Sequence, residues 1–379
     1  MMIYFDNAAT TKPCAECIAA IGTALTEQYG NPSSLHSFGY AAQKCVDEAR
    51  ANIAKALSCE PDCITFTSGA TESNHLAVRG IAGTYGNRRR RIVTSTVEHA
   101  SVRAACDMME EQGFEVIRVA PDENGQITPE AVLAAVNDQT CLVTMMRVNN
   151  ETGAILPISE IFAAVKAQYP DVITHCDAVQ GFMKLPLSVR TLHADLLTVS
   201  GHKVHAAKGI GALYHKKGIR LKPVITGGEQ EAGLRTGTES VPLIMGFGAA
   251  VAALSGNIEE RFAAVSKLRE TAEAMLSEIE GVTVQSKAPC SPYVLSISVK
   301  GLRSETMLHF LADKGIYVSS GSACSKGKQS GVLQQFGIRQ GAADSTLRLS
   351  FCAENTAEEL SAFCDALKEA QSRLVHKRR

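Results

Sequence analysis

The sequence predicts an α/β protein in two parts: a large domain on a seven-stranded, mostly parallel sheet, and a smaller α+β C-terminal domain. Three observations carry this. Between residues 59 and 214 short β-branched runs alternate with amphipathic helical stretches, the pattern of a sheet covered on both faces. After Gly227-Gly228 the pattern changes to a long helical segment and then to a shorter mixture of strands and helices. At 379 residues, with 45% hydrophobic and 20% charged content, the chain can build a large core and is too long to grow comfortably around only one.

In chain order, strands are predicted over residues 64–67, 91–95, 114–119, 141–146, 172–177, 195–200 and 211–214. The helical stretch 241–279 is too long for an ordinary globular helix and is expected to break near Ser255-Gly256. Its apolar part, 242–254, is too short to span a bilayer and contains Gly246 and Gly248, so it reads as a buried helix. Residues 294–299, 316–320 and 346–351 read as strands, closed by a helix over 357–374. The expected division is an N-terminal segment, 1–14, that joins the small domain; a large domain, 15–255; and the small domain, 256–379.

The 38 basic and 39 acidic residues nearly cancel, so no global field draws the chain to nucleic acid or an anionic membrane, and neither is expected as a partner. The run Arg88 to Arg91 reads as a solvated approach to a strand. The first residues show no basic region, apolar stretch or cleavage site of a secretory signal, so a cytoplasmic protein is expected. Twelve scattered cysteines then read mostly as small buried hydrophobes. Cys14-x-x-Cys17 lacks a second Cys or His pair at zinc-ligand spacing, so no metal site is expected.

The polar motifs fall at strand ends, where ligands gather in open α/β sheets. After the first strand of the sheet, Ser68-Gly69-Ala70-Thr71-Glu72-Ser73-Asn74 opens a helix whose free N–H groups suit a phosphate. Read alone, it is equally an ordinary turn capped by Ser and Thr. The strand 172–177 ends in Asp177-Ala178-Val179-Gln180, and an acid there can keep a pyridine nitrogen protonated, the condition that makes pyridoxal 5'-phosphate (PLP) an electron sink. The next strand ends in Ser200-Gly201-His202-Lys203, placing a lysine among small and polar residues where a Schiff base can form. Arg348, in a strand-like run, offers a planar fork for a substrate carboxylate, or alternatively serves edge-strand solubility. Cys324 lies in Ser322-Ala323-Cys324-Ser325-Lys326-Gly327-Lys328, where nearby lysines and exposure favour a reactive thiol.

Together these motifs resemble the NifS/IscS-type cysteine desulfurases, of the fold-type I PLP enzymes and the class V aminotransferase group. The similarity runs nearly end to end. It takes in Tyr4-Phe5-Asp6-Asn7-Ala8-Ala9-Thr10-Thr11, Asn31-Pro32-Ser33-Ser34, the turn at Thr67 to Asn74 and Glu98-His99. It continues through Asn149-Asn150-Glu151-Thr152-Gly153, Asp177 with Gln180, Ser200 to Lys203, Arg235-Thr236-Gly237-Thr238-Glu239, Gly321 to Cys324, and Arg348 with Ser350. The resemblance implies that Lys203 carries PLP and moves a proton at the substrate Cα, that Asp177 pairs with the ring nitrogen and Gln180 with the ring hydroxyl, and that His99 stacks on the ring. Ala70, Thr71, Ser200 and His202 would hold the phosphate, with Thr238 supplied by a second subunit, so a homodimer is implied. Asn150 and Arg348 would fix the carboxylate. The sequence departs from the family pattern at His75, Leu156, Ala206, Ala207, Glu229 and Cys352.

The implied reaction converts L-cysteine to L-alanine, with Cys324 taking the sulfur as a persulfide for a protein acceptor such as an iron–sulfur scaffold. The alternatives are a selenocysteine lyase or another class V PLP lyase or aminotransferase, which has less use for Cys324, and a non-catalytic subunit that relays sulfur. The polar, glycine-rich composition after Cys324 predicts a mobile arm from Ser322 to about Gly341.

Overall fold

The computed structural model describes residues 2–287, 289–320 and 331–374. The first strand, β1 (Ile3–Tyr4), pairs with nothing near it in sequence. Seven strands follow: β2 (Ile64–Thr67), β3 (Arg91–Ser95), β4 (Glu115–Val119), β5 (Thr140–Met146), β6 (Ile173–Asp177), β7 (Leu196–Ser200) and β8 (Gly211–His215). They form one sheet in the order β2-β8-β7-β6-β5-β3-β4. β8 pairs antiparallel with both β2 and β7 while every other pairing is parallel, so β8 alone runs against the rest. The seven-stranded, mostly parallel sheet is therefore as the alternation predicts.

Successive residues of each strand enter opposite cores, as the pleat requires. Val93, Val143, Leu197 and Ala212 join one core, and their neighbours Ile92, Leu142, Leu196 and Leu213 join the other. Because both faces are covered, β5, β6 and β7 are buried throughout, with no exposed face to alternate against. One face is covered by α1 (Ala15–Thr26), α2 (Ser37–Leu57) and the helix Val241–Ser255. The other is covered by α3 (Ala70–Tyr85) and α4 (Ala100–Glu111).

The long helical stretch breaks where expected, into Val241–Ser255 and Ile258–Ser277, which are bent by 76° to each other. Among the described residues no single helix is long and apolar enough to cross a membrane. Five strands follow, β9 (Val282–Val284), β10 (Val294–Val299), β11 (Ile316–Tyr317), β12 (Ser319–Ser320) and β13 (Thr346–Ser350), and four of them form a second sheet. Its order is β12-β13-β10-β9, and β11 instead pairs in parallel with β1. The strand predicted over 316–320 is thus two, divided at Val318 between two partners. Phe5, just after β1, packs edge-on against Phe351 and Phe363, with ring centroids 5.4 and 6.2 Å away.

The predicted arm from 322 to 341 needs correction at its end. Residues 321–330 lie outside the described residues, but Val332–Gln335 and Gln340–Ala343 are short helices. Val332, Leu333, Phe336 and Ile338 are buried, and four apolar side chains so closely spaced gain more from packing than from solvent. The polar composition extends only to Gly331.

Candidate active site

The carboxyl ends of β2, β5, β6 and β7 open on one cavity of about 690 Å³. It is closed by backbone of Ala8 and Ala9 and by Ser319, Ser320 and Arg348 of the second sheet. Of the residues singled out in the sequence, Ala70, Thr71, His99, Asn150, Asp177, Gln180, Ser200, His202, Lys203 and Arg348 all line it. Thr238 is exposed and does not. Cys324 lies outside the described residues.

At one end of the cavity α3 begins at Gly69, whose φ of +153° is a conformation for glycine. Gly211 at the start of β8 must also be glycine, because a Cβ there would come within 2.8 Å of the Gly69 backbone. This close approach lets the first N–H groups of α3 point into the cavity beside Ser200 and His202. The Ser200 hydroxyl and His202 Nδ1 are buried without a hydrogen-bond partner among the described residues. Two such atoms beside a helix N-terminus fit a phosphate monoester. Burial, and then the charges of Lys203, Lys208 and Lys184, push His202 down to about 4, so it is neutral at physiological pH.

Asp177 is buried at the end of β6, with Oδ2 accepting from Asn74 Nδ2 at 2.8 Å and Oδ1 accepting from the Val179 N–H at 3.1 Å. Asn74 also donates to Ser101 Oγ at 2.9 Å, and that hydroxyl meets His99 Nδ1 at 2.8 Å. Because the Ser101 N–H also donates to His99 Nδ1, at 3.2 Å, the ring proton is assigned to Nε2. Burial lowers the His99 pKa, against the pull of Asp177, so the ring is neutral. A fixed carboxylate and a neutral imidazole therefore share one hydrogen-bonded chain through Asn74 and Ser101. Asn74 was legible only as part of the turn, and Ser101 carried no signal.

Lys203 follows β7 on a single 3₁₀ turn, and its Nζ donates to the carbonyls of Ala8 and Ala9, both at 2.7 Å. Gln180 is buried, with Nε2 donating to the same Ala8 carbonyl at 2.9 Å. Arg348 Nη1 donates to the Asn150 carbonyl at 2.9 Å and Nη2 to Asp6 Oδ1 at 2.8 Å. Its Nε is buried without a hydrogen-bond partner among the described residues. The Asp6 contact was absent from the sequence reading, since β1 places that residue through a partner more than three hundred positions away. A lysine, a held carboxylate, a phosphate-type cradle and an arginine fork in one cavity fit PLP and an amino-acid substrate.

All eleven described cysteines have thiols pushed above their ordinary value, mainly by burial. Cys59, Cys106, Cys141 and Cys352 reach about 12, and none of the eleven lines this cavity. A larger cavity of about 990 Å³ elsewhere encloses the Arg50–Glu231 ion pair and includes none of these groups.

Comparison with known proteins agrees with this geometry. Residues 3–363 match the family described as aminotransferase class-V. A cysteine desulfurase of Trichormus azollae is 39% identical over 98% of this chain and 94% of its own. A solved NifS-like protein superposes with a TM-score of 0.94 at 35% identity, over 99% of this chain and all of that one. The structure of SspA in complex with cysteine superposes with a TM-score of 0.82 at 32% identity, over 93% of this chain and all of that one. With sheet, cavity and sequence agreeing over almost its whole length, the chain belongs to the class-V aminotransferase family, within the NifS/IscS-type cysteine desulfurases.

Proposed function

We propose that the protein is a PLP-dependent cysteine desulfurase, converting L-cysteine and the Cys324 thiol to L-alanine and a Cys324 persulfide. The observation that carries this is one cavity in which Lys203, Asp177, the Ser200 and His202 cradle and the Arg348 fork face the same space. Cysteine desulfurase relatives and the cysteine complex of SspA support the choice of substrate.

When bound, PLP supplies an electron sink for the pair left at Cα as its proton departs. Asp177, held by Asn74 and the Val179 N–H, presents a carboxylate to the ring nitrogen and favours its protonated form. Ala70, Thr71, Ser200 and His202 would hold the phosphate, and Gln180 would donate to the ring hydroxyl. Lys203 would hold the cofactor through its amine, and the same amine, when free, would move the proton at the substrate Cα. His99 would stack on the ring, and with Nδ1 taken up by the Ser101 N–H its proton sits on Nε2, so in this tautomer it can give a proton and not take one from the thiol. Arg348 and Asn150 would orient the substrate carboxylate. The other eleven cysteines are buried or partly buried and their thiols are held above the ordinary value, which supports Cys324 as the acceptor, because a nucleophile has to be a thiolate.

Three finer readings belong to the same proposal. The protein works as a homodimer, with Thr238 of one subunit reaching the phosphate of the other. Residues 15–255 act as the cofactor-binding domain and 256–379, with 1–14, as a smaller domain that carries the Cys324 segment. The persulfide passes in the cytoplasm to a protein acceptor, such as an iron–sulfur scaffold. The test is to supply L-cysteine and a reductant to PLP-loaded protein and measure alanine and sulfide. Equal amounts of both are expected, and the absence of alanine overturns the assignment.

A further inference from the structure

A second lysine stands behind the cofactor cavity. Lys184 is 7% exposed and lines a separate small cavity with Lys203, His205, Arg261, Tyr293 and Cys352, in which no carboxylate faces it. Its Nζ donates to Gln180 Oε1 at 3.1 Å and lies 5.8 Å from the centre of the Tyr293 ring. Burial, and then Lys203, push its pKa down to about 7. A buried lysine without an acid partner is costly, and a methionine would fill the same space without desolvating an amine.

The two ends of a glutamine amide have nearly the same shape and opposite chemistry, so its orientation is set by its neighbours. We propose that Lys184 is a positioning residue that pins the Gln180 amide, holding Oε1 behind the cavity and turning the Nε2 donor toward the cofactor. The charged lysine can only donate, so it selects Oε1; the neutral amine can also accept, and the selection belongs to the charged form. The Ala8 carbonyl completes the selection by accepting from Nε2 on the side shared with Lys203. Without Lys184, nothing on the rear side distinguishes the two ends, and a flipped amide would set Oε1 against the oxygen of the ring hydroxyl. The inference rests on the PLP reading of the site, in which Gln180 donates to that hydroxyl.

The experiment is a double-mutant cycle on apo-protein titrated with PLP, read by the dissociation constant, the position of the visible absorption band and the melting temperature. Lys184→Met is expected to weaken PLP about tenfold, the effect of one hydrogen bond to a polarised oxygen, and to shift the visible band without melting below wild type. Gln180→Ala should do the same, and the double variant should be no worse than Gln180→Ala alone. Unchanged affinity and band in Lys184→Met, or additive losses in the double variant, overturn the inference while leaving the cofactor assignment in place. If Lys184→Met fails to fold, Lys184→Arg, which keeps a donor, is expected to keep wild-type affinity, and a loss there overturns it. A wild-type protein that takes up no PLP overturns the cofactor reading itself, and this inference with it.

Discussion

Replacing Arg348 by lysine separates the geometry of the substrate site from its charge. The guanidinium is held by two fixed acceptors, the Asn150 carbonyl at 2.9 Å and Asp6 at 2.8 Å, which orient its plane across the cavity. Lysine keeps the positive charge but has one ammonium on a flexible stem, so it cannot satisfy both anchors and present a planar fork to a carboxylate. Losing one charge-assisted hydrogen bond to the substrate costs about 1.5–3 kcal/mol. At roughly 1.4 kcal/mol per factor of ten, that is about a 10- to 150-fold rise in KM for L-cysteine. Bound PLP should be retained, because Arg348 reaches the cavity from β13 and is not part of the phosphate-type cradle of α3, Ser200 and His202. The assay is steady-state alanine formation in parallel with the visible absorption of bound cofactor. An unchanged KM with cofactor retained would refute the reasoning and move the carboxylate site elsewhere; loss of cofactor would show that Arg348 shapes the PLP site as well.

Three further outcomes are expected. Lys203→Ala should lose the visible absorption that borohydride abolishes in the wild type, and persistence of the same band would place the cofactor on another lysine. Loading with L-cysteine in the absence of reductant should put sulfur on Cys324, as mapped by mass spectrometry, with the eleven buried or partly buried thiols unmodified; full turnover by Cys324→Ala with a protein acceptor would contradict this. Glu98 is buried beneath the site, accepting from Ser95 Oγ at 2.6 Å and the Met146 N–H at 3.0 Å, and burial raises its pKa from 4.5 to about 8. A carboxyl whose pKa is raised on folding contributes stability that is full below its ordinary pKa and lost as pH rises through the folded one. Denaturant melts should therefore show stability falling between about pH 4.5 and 8, and Glu98→Gln should flatten that fall; an unchanged slope would mean another group titrates there.

Much of this protein could be read without coordinates. The alternation of short β-branched runs with helical stretches located all seven strands of the main sheet to within a residue or so, because most of these strands are buried on both faces and their runs end where the backbone must turn. Motifs at the ends of β2, β6 and β7 were visible because phosphate-type turns and polar residues stand out against such runs. The two-residue β1 and the division of 316–320 into β11 and β12 were not legible, since strands so short exist only through the partners that hold them. The reversal of β8 has the same origin, because local pattern sets where a strand lies and not its direction.

The sequence by itself determined which residue types stand at the sheet's carboxyl edge and, through a resemblance spread over the whole chain, which chemistry they suit. Tertiary structure alone decided what orients them. Asp6 reaches Arg348, Asn74 reaches Asp177, and the Ala8 carbonyl receives both Gln180 and Lys203. These contacts join residues about a hundred positions apart or more, and backbone carbonyls carry no sequence signature at all. The physical reason is that a local pattern records burial and turns, whereas a hydrogen bond across the fold depends on the relative placement of whole elements, which only packing around the two faces of the sheet and the second core establishes.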